Sequence, residues 1–212
     1  METQPVYRRV LVMLSGEALG GTDGIFDNAR LEEICAQLKR IADLGTEVAV
    51  VIGAGNIWRG ARQAGLHIDR VRGDHMGMLA TVINSLAVQD YLLKAGLETE
   101  VLSAIPMAQV CGVYDQYKAD ALLRAGKAVI IACGVGYPYF STDTGMVLRA
   151  AELKADAVLS GLVLASQTFS PVAEGAQEKV PEGGALSEWM AALYQDCMEI
   201  AQATAAFARS YQ

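Results

Sequence analysis

The apolar residues of this chain fall into short continuous runs that alternate with stretches of helical spacing. The runs lie near residues 7–14, 48–52, 98–103, 128–133 and 157–159, and their lengths and flanking turn residues are typical of buried strands. Between the first two runs, apolar residues recur at helical spacing until Gly45, which is a typical helix stop. A strand, a helix and a strand in this order predict a parallel βαβ unit, and hence an α/β fold with a mostly parallel sheet.

Three more helices are predicted in the same part of the chain. A long helix opens at residues 73–79, where Asp74 stands in the position of an N-cap or of a ligand contact. A short helix follows at residues 117–125, and another runs from about 144 to 154 with Thr142 as its predicted cap. The predicted apolar face of the long helix comprises Met76, Leu79, Ala80, Ile83, Leu86 and Ala87.

The character of the sequence changes after residue 165. Residues 166–184 are polar and contain prolines and glycines, which predicts a loop or connector, whereas residues 186–211 carry one long apolar helical face. We therefore divide the chain into an α/β domain over residues 1–165, a connector over 166–185 and a helix over 186–212 that packs on the same domain. This last helix either covers the sheet or binds a partner.

Two glycine-containing loops follow predicted strands. The first covers residues 53–60 and contains three glycines and Arg59, and the second covers residues 134–143. Glycine has no Cβ, so its backbone approaches an anionic ligand closely. A plain strand-to-helix turn explains one such loop equally well. Two loops at the carboxyl ends of parallel strands favour a ligand site, because open α/β sheets bind ligands at that edge.

Composition and charge narrow the possible functions. The 212 residues are 52% hydrophobic and 19% charged, which is typical of a globular protein, and the net charge of −7 argues against general nucleic-acid binding. No apolar run of membrane-span length and no signal-peptide core are evident, so we expect a cytoplasmic protein without a membrane partner. Four cysteines without CxxC spacing indicate reduced thiols, and two histidines make a histidine-based metal site an unfavoured hypothesis.

Several motifs together resemble the bacterial uridylate kinases of the amino-acid kinase superfamily. The most specific is Gly73-Asp74-His75-Met76-Gly77-Met78-Leu79-Ala80-Thr81, and segments 14–19, 53–60, 103–106 and 134–143 are similar at the expected intervals. The resemblance covers about residues 5–160 and is faint beyond. It implies a three-layer αβα sandwich, transfer of the ATP γ-phosphate to UMP with Mg²⁺, and a homohexamer built from dimers.

The resemblance also implies a UMP site. Gly53, Ala54 and Gly55 would face the acceptor phosphate, with Ala54 replacing a family glycine. Arg59 would pair with the phosphate, and Asp74 would hold the ribose hydroxyls. The full set of implied substrate-binding positions is Gly16, Gly53, Ala54, Gly55, Arg59, Gly73, Asp74, Val135, Tyr137 and Thr142. Of these, Thr142 would contact the phosphate, while Val135 and Tyr137 stand where the family presents a threonine and an asparagine.

The catalytic positions implied by the resemblance are altered. Met13 and Ser160 stand where the family has two lysines, and Gln202 stands for a nucleotide-site aspartate; Asp143 is retained. The family segments that follow the last strand are not recognisable, which predicts a truncated nucleotide half. Loss of one charge-stabilising group commonly slows a reaction by about 10²- to 10³-fold, so we expect little phosphoryl transfer.

Three functional hypotheses remain open from the sequence. The first is a catalytically impaired uridylate kinase homologue that binds UMP or a similar small anion, as a homo-oligomer or beside an active paralogue. The second is an active nucleoside-monophosphate kinase in which Arg9, Lys154 or a neighbouring subunit's arginine replaces the lysines, with ATP and Mg²⁺ as cofactors. The third is a molybdate-type oxyanion storage or sensing protein.

Overall fold

The computed structural model describes residues 7–21, 24–58 and 67–161, with only the backbone described at Ser160 and Gly161. Its elements are β1 (Arg9–Leu14), a 3-10 turn (Gly16–Leu19), α1 (Asn28–Asp43), β2 (Glu47–Ile52), α2 (Arg70–Lys94), β3 (Thr99–Ser103), β4 (Gly112–Val113), α3 (Gln116–Arg124), β5 (Ala128–Ala132), α4 (Thr142–Glu152) and β6 (Ala157–Gly161). The predicted connector and terminal helix, together with Arg59 and Gln202, lie outside the described residues.

The six strands form one parallel sheet in the order β4-β3-β5-β2-β1-β6. The five strands predicted from apolar runs are confirmed within a few residues of their expected ends. The sequence did not predict β4, because two residues are too few to show a pattern. In this register Met13 pairs with Val51 on one side and with Ser160 on the other, near the carboxyl ends of all three strands.

Helices cover both faces of the sheet, which confirms the three-layer αβα sandwich. Alternate strand residues such as Val12, Val50 and Ile130 pack with the buried faces of α1 and α2 in one core cluster. The intervening strand residues, for example Leu11 and Ile131, are also buried, and α3 and α4 contact the strands outside that cluster. Burial on both faces explains why these strands read as continuous apolar runs rather than alternating ones.

The long helix α2 begins earlier than predicted. Its N-cap is Asp69, whose carboxylate accepts a hydrogen bond from the Arg72 N–H over 3.2 Å. Asp74 therefore lies one turn inside the helix and is not a cap, so the capping interpretation was wrong. By length and composition alone α2 is apolar enough to cross a membrane, and 39% of that stretch is buried in this fold, where α2 packs on α1, β3 and β5.

The predicted apolar face of α2 is only partly in the core. Three of its six residues, Met76, Leu79 and Ile83, are 39%, 50% and 47% exposed. The buried face instead includes the polar residues Asn84 and Ser85, which are fully buried. The helix is apolar on nearly all sides, so its periodicity alone did not identify the face that meets the sheet.

Helix α4 begins at Thr142, and its N-cap is the preceding residue. The Ser141 hydroxyl accepts a hydrogen bond from the Thr144 N–H over 3.1 Å. The prediction that Thr142 caps the helix was therefore wrong by one position. The corrected start places Asp143 in the first helical turn, where a carboxylate interacts favourably with the helix dipole.

Candidate functional site

The first loop leaves the carboxyl end of β2 and is anchored to β1. The Gly53 N–H donates to the Leu14 carbonyl over 2.8 Å. The Ile57 and Trp58 N–H groups both donate to the Ala54 carbonyl, over 2.9 and 2.8 Å. The described part of the loop, residues 53–58, is therefore a compact turn fixed at the sheet edge.

Gly16 lies directly behind the first loop. A Cβ atom on this glycine would stand 2.5 Å from Asn56 Oδ1 and 2.6 Å from the Gly53 carbonyl oxygen. No side chain fits at these distances, so glycine is required for the 3-10 turn to pack against the loop. Gly16 thus shapes the site from behind and does not line the cleft described below.

A pair of asparagines fastens the first loop to α2. Asn84 Nδ2 donates to Asn56 Oδ1 over 2.8 Å, and Asn56 Nδ2 donates back to Asn84 Oδ1 over 3.1 Å. Asn84 Nδ2 also donates to the Gly53 carbonyl over 2.8 Å. Asn84 is fully buried, so these contacts meet the hydrogen-bonding needs of its amide and hold the loop against the helix.

The second loop was predicted over residues 134–143, and in the structure it spans residues 133–141, between β5 and α4. It contains several left-handed backbone conformations. Cys133 and Gly134 have φ values of 65° and 54°, Gly136 has 91° and Tyr139 has 73°. For the two non-glycine residues this conformation costs on the order of 1–3 kcal/mol each. Such a backbone persists only where neighbouring contacts hold it in place.

Contacts from α2 and α4 hold the start of the second loop. The Cys133 N–H donates to Thr81 Oγ1 over 2.9 Å, and Arg149 Nη2 donates to the Gly134 carbonyl over 3.0 Å. A Cβ on Gly145 would lie 2.9 Å from the Gly134 Cα, so α4 also approaches the loop at glycine contact distance. The loop is therefore fixed from both layers of helices.

Arg149 is itself buried and held by two neighbours. Its guanidinium lies 4.0 Å from the Tyr114 ring centroid and donates to Glu152 over 2.7 Å. Tyr114 donates its hydroxyl to the same Glu152 carboxylate over 2.7 Å. Burial, followed by the contact with Glu152, raises the pKa of the Tyr114 phenol, which stays neutral. This cluster fixes the guanidinium that bonds to the second loop at Gly134.

Asp74 connects α2 to the far end of the second loop. Its carboxylate accepts from Arg70 Nε at 3.0 and 2.9 Å, and its Oδ2 accepts from the Tyr139 N–H at 2.9 Å. The Arg70 guanidinium carbon also stands 5.4 Å from the Tyr139 ring centroid. A ligand contact was predicted for Asp74, and the structure gives it these protein contacts.

A cleft of about 420 Å³ lies between the two loops and α2. This volume falls within the range of small-molecule sites. Its described lining residues are Ala54, Gly55, Trp58, Arg70, Gly73, Asp74, Gly77, Met78, Thr81, Cys133, Gly134, Val135, Tyr137, Phe140, Ser141 and Thr142. The two loops therefore lie at the same edge of the sheet, as predicted.

Seven of the ten predicted substrate-binding residues line this cleft, two do not, and one lies outside the described residues. The seven are Ala54, Gly55, Gly73, Asp74, Val135, Tyr137 and Thr142. Gly16 is buried behind the first loop, Gly53 is buried at the start of that loop, and Arg59 lies outside the described residues. Of the catalytic positions, Asp143 is exposed and Met13 is half-buried at the end of β1. Roles for all of these residues remain predictions.

Trp58 was not predicted as a site residue, yet it forms one wall of the cleft. Its indole lies against the α2 glycines, since a Cβ added at Gly77 or at Gly73 would stand 3.5 or 3.8 Å from the ring. Within the described part of the chain, its buried Nε1 donor has no hydrogen-bond partner. A buried N–H without a partner is uncommon, so a water, a ligand or a residue outside the described part would complete this donor.

Arg70 is the cation among the described lining residues, and it is paired with Asp74. The cleft therefore carries little net positive charge apart from any contribution of residues 59–66. Cys133 also lines the cleft, and burial raises the pKa of its thiol, which stays protonated and poorly nucleophilic. Among the described residues, no group of three or more His, Cys, Asp or Glu is arranged to hold a metal ion.

The amino acid kinase family model matches residues 8–161. This chain belongs to the amino acid kinase family. It is 51% identical over 162 residues to the uridylate kinase of Brucella anthropi, covering 76% of this chain and 68% of that protein. It is 46% identical over 177 residues to the uridylate kinase of Aliivibrio fischeri, covering 81% of this chain and 73% of that protein.

Solved structures agree with these sequence matches. A UMP kinase from Bacillus anthracis superposes with a TM-score of 0.70 at 42% identity, over 73% of this chain and 64% of that chain. A UMP kinase from Ureaplasma parvum superposes with a TM-score of 0.70 at 34% identity, over 73% and 66%. The alignment thus spans just under two thirds of each solved chain. The resemblance to bacterial uridylate kinases that the motifs indicated is confirmed.

Proposed function

We propose that this chain binds UMP, or a related small phosphate-bearing ligand, between the two loops, and that its phosphoryl transfer is impaired. The size of the cleft, the two loops at the sheet edge and the family membership support binding. In this proposal Gly55 and Ala54 face the phosphate, with Arg59 and Thr142 as its side-chain partners. The relatives are named uridylate kinases. In this proposal the chain has kept their ligand site and lost most of their activity.

The observation that carries the impairment is the pairing of Met13 with Ser160. These residues are Cα partners on neighbouring parallel strands, and the family resemblance gives a lysine at each. Transfer of a phosphoryl group depends mainly on fixed positive charge around it. Neither methionine nor serine carries charge, so the site would lose two cations at a single place.

Magnesium and ATP would be the donor half of the family reaction. The resemblance implies that Asp143 organises the two lysines, and this carboxylate is retained and exposed on the first turn of α4. Without the two lysines, the charged residues at this place do not match the set that the resemblance implies. We therefore derive no transfer step for this chain, and ATP binding is left to measurement.

The substitute cations suggested by the sequence lie at the other edge of the sheet. Arg9 begins β1, and its buried guanidinium is held by Glu47, Asp120 and the Leu153 carbonyl. Lys154 follows α4 and precedes β6, so it also lies at the amino ends of the strands. Neither Arg9 nor Lys154 therefore lies at the loop edge of the sheet, and an active kinase would need another cation there.

Calorimetry with UMP, UDP and UTP, run beside a coupled ATP/UMP assay, tests the proposal. We expect saturable binding of UMP and turnover at least about 10²-fold below that of a uridylate kinase assayed in parallel. Turnover equal to that of the active kinase would overturn the impairment. Absence of binding by all three nucleotides, in protein that melts cooperatively, would overturn the ligand site. Molybdate added in place of UMP tests the oxyanion-storage hypothesis in the same experiment.

We also propose that the chain assembles with itself or with an active paralogue in the cytoplasm. Its support is the exposed apolar stripe of α2, formed by Met76, Leu79 and Ile83. Light scattering of the wild-type chain and of Leu79→Glu tests the assembly. We expect a dimer-based species that the charged variant reduces to monomer. A monomeric wild-type chain would contradict self-assembly and leave a partner of different sequence to be sought by co-expression.

A further inference from the structure

Two buried arginines lie near opposite edges of the sheet, and they differ in how completely they are hydrogen-bonded. Arg9 and Arg149 are each only 6% exposed. All three guanidinium nitrogens of Arg9 have partners, which are Glu47, Asp120 and the Leu153 carbonyl. Arg149 donates through both terminal nitrogens, but its Nε is buried and, among the described residues, has no partner. An unsatisfied buried donor is uncommon and costs folding free energy, so the placement of Arg149 calls for a reason other than its own hydrogen bonding.

The neighbours of Arg149 fix the orientation of its guanidinium. The ring centroid of Tyr114 lies 4.0 Å from the guanidinium carbon, and Glu152 accepts from Nη1 over 2.7 Å. Tyr114 is itself tied to the end of β3, because its N–H donates to the Ser103 carbonyl over 2.8 Å. A planar guanidinium that stacks on a ring and pairs with a carboxylate is held in one orientation. Its other terminal nitrogen, Nη2, therefore has a fixed direction, and it meets the Gly134 carbonyl at 3.0 Å.

The group that Arg149 holds is a peptide in the lining of the cleft. The Gly134 carbonyl and the Val135 N–H belong to one planar peptide unit, and both residues line the cleft. The residue before this peptide, Cys133, has a φ of 65°, which is unfavourable for a residue other than glycine. Thr81 holds the Cys133 N–H from α2, and Arg149 supplies the hydrogen bond from α4. The guanidinium thus sets the direction in which the second loop leaves β5.

We propose that Arg149 is a positioning residue for the proposed nucleotide site. It holds the Gly134–Val135 peptide in the conformation that the ligand meets, and this task accounts for the donor that it leaves unpaired. Arg9, whose three nitrogens are all paired, serves the fold alone. The effect on a ligand rests on the proposed function, whereas the effect on the loop is independent of any ligand. The two effects are tested separately.

Arg149→Met and Arg9→Met form a matched pair of variants. Each removes an equally buried guanidinium and keeps an unbranched side chain, so the general effects of losing a buried arginine are common to both. We expect Arg9→Met to lower the melting temperature more, because it leaves two carboxylates and one carbonyl without their donor, against one of each for Arg149→Met. Exchange and binding are then measured well below the lower of the two melting temperatures.

The first test needs no ligand. The Gly136 N–H donates to the Cys133 carbonyl over 2.8 Å within the loop, so its hydrogen exchange, followed by NMR, reports the order of the loop. We expect exchange at Gly136 to be at least about tenfold faster in Arg149→Met than in the wild type, and unchanged in Arg9→Met. Equal rates in the wild type and Arg149→Met would overturn the positioning role whatever the ligand is. Equal acceleration in both variants would assign the effect to global stability and would overturn it as well.

Calorimetry with UMP tests the effect on the ligand. We expect UMP to bind at least about tenfold more weakly to Arg149→Met than to the wild type, and to bind Arg9→Met within about twofold of the wild type. An equal loss in both variants, or no loss in Arg149→Met, would overturn the proposal. If the wild type does not bind UMP, the proposed function fails, and the exchange test still decides whether Arg149 orders the loop.

Arg149→Lys covers the case in which Arg149→Met does not fold. Lysine keeps the positive charge beside Glu152, but its single ammonium lacks the planar fork that joins the Glu152 and Gly134 contacts. We expect faster exchange at Gly136 and weaker UMP binding in this variant too. A lysine variant equal to the wild type in both measurements would overturn the role of the Gly134 hydrogen bond.

Discussion

Met13 and Ser160 occupy one register position on two neighbouring parallel strands. Each is the penultimate residue of its strand, β1 in one case and β6 in the other, so both stand at the edge of the sheet where the loops meet. The two positions at which the resemblance implies lysines, far apart along the chain, therefore fall at a single point of the fold. The impairment that we propose would then have a local cause, and local changes would reverse it.

Restoring both lysines is expected to restore transfer. We predict that Met13→Lys/Ser160→Lys raises the rate in a coupled ATP/UMP assay by about 10²-fold or more, because each position supplies charge to the transferring group. The single variants are expected to gain much less, since charges that act together are not additive. Met13→Leu is the control for altered packing at the strand end. A double variant that binds UMP with no gain in rate would show that the defect lies elsewhere, for example in the residues outside the described part.

Removal of the Asn84 amide is expected to loosen the first loop. We predict that Asn84→Ala lowers the free energy of unfolding by about 1–3 kcal/mol, since it removes the Nδ2 donor from the Gly53 carbonyl and from Asn56 Oδ1. UMP affinity should fall as well, because the loop is the proposed phosphate site. Denaturant unfolding and calorimetry measure the two effects.

Ser85→Ala is the matched control for that variant. Ser85 is the next residue of α2, is equally buried, and donates its hydroxyl to the Thr81 carbonyl of its own helix. Its loss should cost less than about 1 kcal/mol. Equal effects of the two substitutions would mean that the asparagine pair contributes nothing specific to the loop.

The elements that the sequence predicted well are those with local signals. Apolar runs predicted the strands, and glycines after strands predicted both loops. Each of these patterns is contained in a stretch of about ten consecutive residues. Asn84 had no such signal, because its partners Asn56 and Gly53 are 28 and 31 positions away and its helix is apolar on nearly every side. The start of α2 at Arg70 was missed for a related reason. The glycine motif at Gly73 contains an aspartate that fits a cap position as well as the true cap, Asp69, does.

The Arg9 network at the amino edge of the sheet predicts a pH dependence of stability. The Arg9 guanidinium donates to Asp120 over 2.8 Å and holds the pKa of that carboxyl below its ordinary value. A carboxyl with a lowered pKa in the folded state stabilises the fold above its unfolded-state pKa, and this contribution disappears as the pH falls through the folded-state pKa. The loss should therefore begin below about pH 4.

Urea midpoints of the wild type and Asp120→Asn between pH 7 and pH 3 test this dependence. We expect the variant to be less stable at neutral pH and the difference to shrink as the pH approaches 3. Asp90→Asn is the control, because Asp90 makes an exposed pair with Lys94 one turn along α2 and should change stability little at any pH. A gap between wild type and Asp120→Asn that is constant with pH would exclude the ion pair as its cause.

The last prediction concerns which base the proposed site accepts. Tyr137 is 68% exposed at the cleft, and Val135 lines the same loop, whereas the family resemblance gives an asparagine and a threonine there. A site discriminates strongly between bases only when its own polar groups would otherwise be left unpaired, and an aromatic ring offers stacking that every base satisfies. We therefore expect UMP and CMP to bind within about threefold of each other, and Val135→Thr/Tyr137→Asn to favour UMP by about tenfold.

Calorimetry with both nucleotides measures the ratio of the two affinities. Tyr117→Asn is the control, because Tyr117 is an exposed tyrosine on α3 that is not among the lining residues of the cleft, and this variant should leave the ratio unchanged. A strong preference of the wild-type chain for UMP would contradict this prediction. Backbone groups or residues 59–66 would then recognise the base, and Tyr137 would have no effect on base selectivity.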